Sequence, residues 1–248
     1  TTFDWQNAGG GFASTVTENY YTRYFRGAKP ADVDGDGDAD MVWVRTNNSG
    51  EPKIEIMRFQ NGQLISQGHQ LHASSSELAS WQIFDYNNDG RHDLLVAENG
   101  TWRVGLGAVD VAGNPTFGTW INTGISPEGY NRAAVADFDG NGLADLLYTQ
   151  SGSLRLRPLL KTGSTYAFGA VQSFALGCAP FECDEYFPPT VMANDIRPLV
   201  ADFNGDGVAD LLVRVSVTAW CERDRELGGC PPSLTQWRIY VGNPGATS

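Results

Sequence analysis

Nine residues recur four times along this chain: an aspartate, Asp or Asn two and four places on, a glycine next, and a closing aspartate at the ninth position. The copies are Asp32-Val33-Asp34-Gly35-Asp36-Gly37-Asp38-Ala39-Asp40, Asp85-Tyr86-Asn87-Asn88-Asp89-Gly90-Arg91-His92-Asp93, Asp137-Phe138-Asp139-Gly140-Asn141-Gly142-Leu143-Ala144-Asp145 and Asp202-Phe203-Asn204-Gly205-Asp206-Gly207-Val208-Ala209-Asp210. Their first residues stand at 32, 85, 137 and 202, giving spacings of 53, 52 and 65. A period of that size signals propeller blades or solenoid units, in which each unit buries its faces only against its neighbours.

Oxygens at positions 1, 3, 5 and 9 of a tight loop can converge on one point, and the backbone carbonyl of position 7 (Asp38, Arg91, Leu143 or Val208) can join them. Such a shell suits a hard cation, calcium at about 2.3 to 2.6 Å. The expected ligands are therefore Asp32, Asp34, Asp36, Asp38 and Asp40; Asp85, Asn87, Asp89, Arg91 and Asp93; Asp137, Asp139, Asn141, Leu143 and Asp145; and Asp202, Asn204, Asp206, Val208 and Asp210. Gly37, Gly90, Gly142 and Gly207 stand where a sharp turn calls for positive φ. Ordinary Asx turns use the same residues, but an acidic ninth position is not something a turn requires. About four calcium ions are expected. They would carry the formal net charge from −12 to about −4. The first loop holds five aspartates, whose mutual repulsion makes it the loop expected to depend most on metal for its order.

The loops are not EF-hands, because position 12 is Trp43, Val96, Tyr148 or Val213 rather than a bidentate Glu. A short apolar run follows each loop, Met41-Val42-Trp43-Val44, Leu94-Leu95-Val96, Leu146-Leu147-Tyr148 and Leu211-Leu212-Val213, and reads as a buried strand. Third strands are expected at Lys53 to Phe59, Trp102 to Gly107, Leu154 to Leu159 and Trp237 to Gly242, and fourth strands near Leu64 to His72, Thr116 to Asn122 and Tyr166 to Phe174. The fold class is thus all-β: a β-propeller of four-stranded antiparallel blades in a single domain over 1–248, with repeats centred on 26–72, 79–124, 131–175 and 196–243. The segment 1–16 carries Thr2-Phe3-Asp4-Trp5-Gln6-Asn7, which resembles Thr116 to Asn122 and is expected to supply the missing strand of the last blade. The competing expectation is a fragment of a longer array.

The loops, the strand after each, and the Phe117-Gly118 and Phe168-Gly169 pairs resemble the FG-GAP and VCBS repeats of calcium-binding propellers, as in integrin α-chains and bacterial secreted proteins. No Gly-Ala-Pro follows the second strand, where Val44-Arg45, Ala97-Glu98, Thr149-Gln150 and Arg214 stand, so the resemblance is to the bacterial style. Similar repeats occur in the shells of Rhs and Tc-type toxins, in lectins and in polysaccharide lyases, and the fold does not fix the function.

The acidic balance argues against nucleic acid, and no apolar run reaches the length of a membrane span. Cys178, Cys183, Cys221 and Cys230 match no zinc spacing and are expected to form disulfides, in a connectivity left open, in a secreted or cell-surface protein. They lie in two long insertions, about 176–195 and 216–235, expected to emerge on the face opposite the loops. Phe181, Tyr186, Phe187 and Trp220 there, beside several acids, are the candidate contacts to a glycan or protein ligand, and Tyr20, Tyr21, Tyr24 and Phe25 join the same expectation. The alternative is that these loops cap the propeller with their aromatics buried.

No catalytic constellation stands out. His69 and His72 are three apart on an expected strand, and with His92 read as surface or packing residues. Lys161-Thr162-Gly163 lacks the other parts of a β-lactamase signature, and Gly9-Gly10-Gly11 is no phosphate loop. Asn47 and Asn99 begin glycosylation sequons. Two functions from different classes remain: a non-catalytic, calcium-stabilised binding module, and a structural propeller segment of a larger toxin or surface protein. Polysaccharide cleavage ranks third.

Overall fold

The apolar run after each loop becomes the second strand of an antiparallel sheet, with the loop joining it to the first. A computed structural model describes residues 2–4, 13–15, 26–46, 52–60, 63–70, 81–126, 133–150, 153–174, 199–217 and 234–242. The chain divides into two compact units, Thr1–Gly129 and Tyr130–Ser248. The described residues contain strands and turns and no helix.

In the first unit, β1 (Thr2–Asp4) pairs with β2 (Ala13–Thr15). The strand expected to complete the last blade therefore has its partner within its own unit among the described residues. Next come β3 (Arg26–Ala31), β4 (Asp40–Thr46), β5 (Pro52–Gln60) and β6 (Gln63–Gln70), a four-stranded meander in chain order. The meander repeats in β7 (Gln82–Phe84), β8 (Asp93–Glu98), β9 (Thr101–Val109) and β10 (Pro115–Asn122). Every residue of β8 is buried, as a strand covered on both faces must be. Between β8 and β9 the two-residue turn Asn99-Gly100 has φ of 52° and 73°. That is the primed-turn chemistry Asn-Gly favours, so Asn99 shapes a hairpin as well as opening a sequon. Ala31, Val33, Val42, Ile54, Ile56, Trp81, Leu94, Val96 and Phe117 form one apolar core. Each large side chain fully buried there contributes roughly 1.5 to 3 kcal/mol. Lys29 donates to the Trp81 carbonyl at 3.0 Å and to Gln82 Oε1 at 2.7 Å, tying the first meander to the second.

In the second unit, β11 (Ala133–Ala136), β12 (Asp145–Gln150), β13 (Ser153–Arg157) and β16 (Gln172–Phe174) form the third meander. The hairpin β14 (Leu159–Thr162) and β15 (Thr165–Phe168) sits within it. The third and fourth strands expected at Leu154 to Leu159 and Tyr166 to Phe174 are thus each split in two. Pro158 has no N–H for the ladder and breaks the third strand. Gly169 N–H donates to the Pro158 carbonyl at 2.7 Å and spans the break. In the second meander the same place is a register shift between Phe117 and Trp120, so both Phe-Gly pairs mark an irregularity where the sheet bends. Lys161-Thr162-Gly163 leads into the hairpin turn, with Gly163 at φ 64°. The last sheet comprises β17 (Leu199–Ala201), β18 (Asp210–Val217) and β19 (Leu234–Tyr240). Phe138, Leu147, Leu154, Leu156, Leu211 and Val213 form the core of this unit.

Candidate metal centres

The four loops share most of their hydrogen bonds, and most of the donors are backbone N–H groups. The carboxylate at position 1 takes position 6 with one oxygen: Gly37 to Asp32 at 3.0 Å, Gly90 to Asp85 at 2.9 Å, Gly142 to Asp137 at 2.8 Å and Gly207 to Asp202 at 2.9 Å. Its other oxygen takes position 4 in three loops, from Gly35 at 2.7 Å, Gly140 at 2.7 Å and Gly205 at 2.6 Å. The N–H of position 5 donates to the side chain of position 3, and that of position 7 to the side chain of position 5, in every copy. Gly37, Gly90, Gly142 and Gly207 have φ between 81° and 88°, as expected. Position 4 also lies in the left-handed region, at Gly35, Gly140, Gly205 and, in the second loop, Asn88 at φ 53°. Asn is among the few non-glycine residues that tolerate this conformation.

The ninth aspartate has a structural task that was not read from the sequence. One oxygen accepts the N–H of position 2: Tyr86 to Asp93 at 2.8 Å, Phe138 to Asp145 at 2.9 Å and Phe203 to Asp210 at 2.8 Å, with Val33 to Asp40 longer at 3.4 Å. The other oxygen accepts an N–H beyond the third strand's central pairing: Gly107 to Asp93 at 2.7 Å, Leu159 to Asp145 at 2.8 Å and Gly242 to Asp210 at 2.8 Å. Asp93, Asp145 and Asp210 are fully buried. Each carboxylate pins loop to sheet, which accounts for an acidic ninth position without invoking a metal. Each carboxylate oxygen has a second lone pair, so the two roles are compatible.

Within each unit the two loops are also joined. The N–H of position 8 donates to the carbonyl of position 1 in the preceding loop, His92 to Asp32 at 2.7 Å and Ala209 to Asp137 at 2.8 Å. The first junction is doubled, because Asp32 N–H donates to His92 Nδ1 at 3.1 Å. His92 is therefore a junction residue. His69 lies in β6, and His72 lies outside the described residues.

Two groups of carboxylates bring ligand atoms within 4.8 Å of one another: Asp32, Asp34 and Asp36 in the first loop, and Asp137, Asp139 and Asp145 in the third. Burial pushes Asp34 and Asp139 up from the usual carboxylate range. It pushes Asp40 up to about 7, and Asp93 and Asp145 to about 6. Desolvated carboxylates gathered this closely favour protons or a cation, so the donor set fits a hard metal ion. The other buried acids are partnered: Glu55 accepts from Trp43 Nε1 at 2.8 Å, and Glu98 pairs with Arg103. Cys178, Cys183, Cys221 and Cys230, the candidate ligand contacts Phe181, Tyr186, Phe187 and Trp220, the tyrosines and phenylalanine of 20–25, Gly9 to Gly11 and Asn47 all fall outside the described residues.

Against known families, an FG-GAP-like repeat matches residues 32–96 and again 85–148, registers that begin on the first two loops. No curated protein sequence matches the chain. Among solved structures, a lectin of Agrocybe aegerita that specifically recognises non-reducing terminal N-acetylglucosamine superposes with a TM-score of 0.50 at 17% identity, over 88% of this chain and 52% of that one. A Tc holotoxin pore of Photorhabdus luminescens superposes with a TM-score of 0.49 at 19% identity, over 88% of this chain and 9% of that one. This chain thus spans about half of the lectin chain and about a tenth of the toxin chain. Among the described residues no helix is long and apolar enough to cross a membrane.

Proposed function

Because this chain carries FG-GAP-like repeats, we propose that it is a non-catalytic, calcium-stabilised β-propeller module that works outside the cell and recognises a glycan or a protein. The observation that carries the calcium part is the third loop, where Asp137, Asp139 and Asp145 present oxygens within 4.8 Å of one another at the end of a buried strand. Asn141 and the Leu143 carbonyl would complete the donor set there, and the equivalent residues of the other loops would hold further ions. When bound, calcium supplies charge neutralisation and a rigid loop. The chain's own residues supply the frame, through the ninth aspartates and the junctions between loops.

The recognition part is supported by the lectin fold likeness and by the long aromatic insertions of the sequence. The sugar named for that lectin makes terminal N-acetylglucosamine the first ligand to try.

The test is calorimetric unfolding of the chelated chain with and without about 1 mM calcium, a concentration suited to extracellular modules. At ten times its dissociation constant each site adds about 1.4 kcal/mol if it binds only the folded state, so several sites give a rise in Tm of many degrees. An unchanged Tm and no bound metal would overturn the calcium reading. A glycan array run in calcium then tests recognition, and stabilisation without any ligand would favour a structural segment of a larger protein.

A further inference from the structure

The first loop differs from the other three in how its carboxylates are balanced. In loops two to four, positions 3 and 5 are one Asp and one Asn, and the Asn amide donates to the Asp: Asn87 to Asp89 at 3.0 Å, Asn141 to Asp139 at 3.2 Å and Asn204 to Asp206 at 2.9 Å. In the first loop both positions are aspartate, and the donor comes from elsewhere. One terminal nitrogen of Arg58 lies 3.0 Å from Asp36 Oδ2 and 3.6 Å from Asp34 Oδ2. The other donates to the Gly113 carbonyl in the β9–β10 turn at 2.8 Å. Asp34 is buried, which strengthens its need for a counter-charge.

Strand register shows why a third-strand arginine reaches only this loop among the described residues. The residue after the ninth aspartate pairs with Met57, Gly105, Arg157 and Tyr240 in the four sheets. One place further along the third strand stand Arg58, Leu106, Pro158 and Val241. A cation at that place coincides with the loop that has an extra carboxylate. A second guanidinium stands close by: a Cβ built on Gly35 would lie 3.0 Å from Arg91 Nε. Among the described residues no ion pair reaches the loop carboxylates of the other three copies.

Resting on the calcium reading above, we propose that Arg58 is a resident counter-cation of the first loop, which orders Asp34 and Asp36 without metal and competes with calcium for them. The first loop is then the last to fill and the least dependent on metal for its order. This reverses the expectation drawn from its five aspartates.

The experiment compares the full chain with Arg58→Gln, Arg58→Lys and Asp34→Asn. In chelator, hydrogen exchange is read at Asp36 and Asp38, whose N–H groups donate to Asp34 and Asp36, and at their counterparts Asn141 and Leu143. Arg58→Gln should speed exchange in the first loop and leave the third loop unchanged, with Arg58→Lys intermediate because it keeps charge but loses the fork. Equal exchange in parent and Arg58→Gln would overturn the ordering role. In calcium titration calorimetry the parent should show a class of sites up to about fivefold weaker than the rest, as expected for displacing a partly exposed ion pair. Arg58→Gln should bring that class to the strength of the others, and Asp34→Asn, which gives the first loop the Asn-Asp pair of the second and fourth and so loosens its hold on Arg58, should move the class in the same direction. A weak class that Arg58→Gln leaves unchanged or weakens would overturn the competition. If no form binds calcium, the calcium reading and the competition fall together, while the exchange measurement still decides the ordering role.

Discussion

The backbone N–H of His92 donates to the carbonyl of Asp32 at 2.7 Å, so the eighth residue of one loop is fastened to the first residue of the loop before it. Ala209 and Asp137 repeat the bond at 2.8 Å in the other unit. What joins the repeats at this point is main chain, which any sequence can supply, while the side chains differ. The imidazole of His92 adds a second bond, from Asp32 N–H, that alanine at 209 cannot make. His92→Ala should therefore keep the junction and lose about 1 kcal/mol, the net worth of one hydrogen bond, read as a lower urea midpoint at unchanged slope. Loss of the whole transition would mean that the junction depends on the imidazole.

Gly107 is where the backbone of the third strand passes two carbonyls. A Cβ there would stand 2.5 Å from the His92 oxygen and 2.7 Å from the Val33 oxygen. Gly242 meets Ala209 and Phe138 carbonyls in the same way, at 2.6 and 3.2 Å. Backbone on both sides cannot yield as a side-chain tip would. Gly107→Ala should cost about 3 kcal/mol or more, beyond the usual range for a single substitution. Gly118→Ala is the control, because its nearest neighbour is the Ala108 side chain at 3.3 Å. Comparable Tm values for the two variants would contradict this.

Asp145 accepts two backbone N–H groups, one on each oxygen. Asparagine keeps one acceptor and turns the other into a donor facing a donor, so Asp145→Asn is not a mild change. It should cost roughly 2 to 3 kcal/mol in chelator, and Asp145→Ala, which leaves both buried N–H groups unsatisfied, about 3 to 5. Denaturant unfolding in chelator checks the order. A purely metal-binding Asp145 would predict no loss there for either variant.

The loops were legible in the sequence because each residue of the motif has a local task, such as positive φ at Gly90 or side-chain capping by Asp85. The apolar runs were legible because a strand buried on both faces, such as β8, admits no polar alternation. The work of Asp93 was not, because its partner Gly107 is fourteen residues away and the bond exists only after the sheet has formed. Arg58 was missed for the same reason: its distance in sequence from Asp36 says nothing until strand register brings them together. The split of the third blade had a sequence signal in Pro158, which periodicity alone overrode.

The buried ninth aspartates make metal-free stability depend on pH in an unusual direction. Burial raises Asp40 to about 7, and Asp93 and Asp145 to about 6, above the ordinary value near 3.8 that they regain on unfolding. Between these values the folded chain holds more protons than the unfolded one, so stability rises as pH falls. This contribution is fully present below about pH 4 and is lost as pH rises through 6 to 7. Asp36 and Asp202, held low by backbone N–H groups, act in the opposite sense only below the ordinary carboxylate range. In chelator the urea midpoint should therefore increase from pH 8 to pH 5. In saturating calcium the same change should lower it, because protons then compete with the metal for the carboxylate oxygens. A chelated chain that is most stable at pH 8 would mean that hydrogen bonding to these carboxylates outweighs their burial, and that the loops close around charged aspartates without help from a cation.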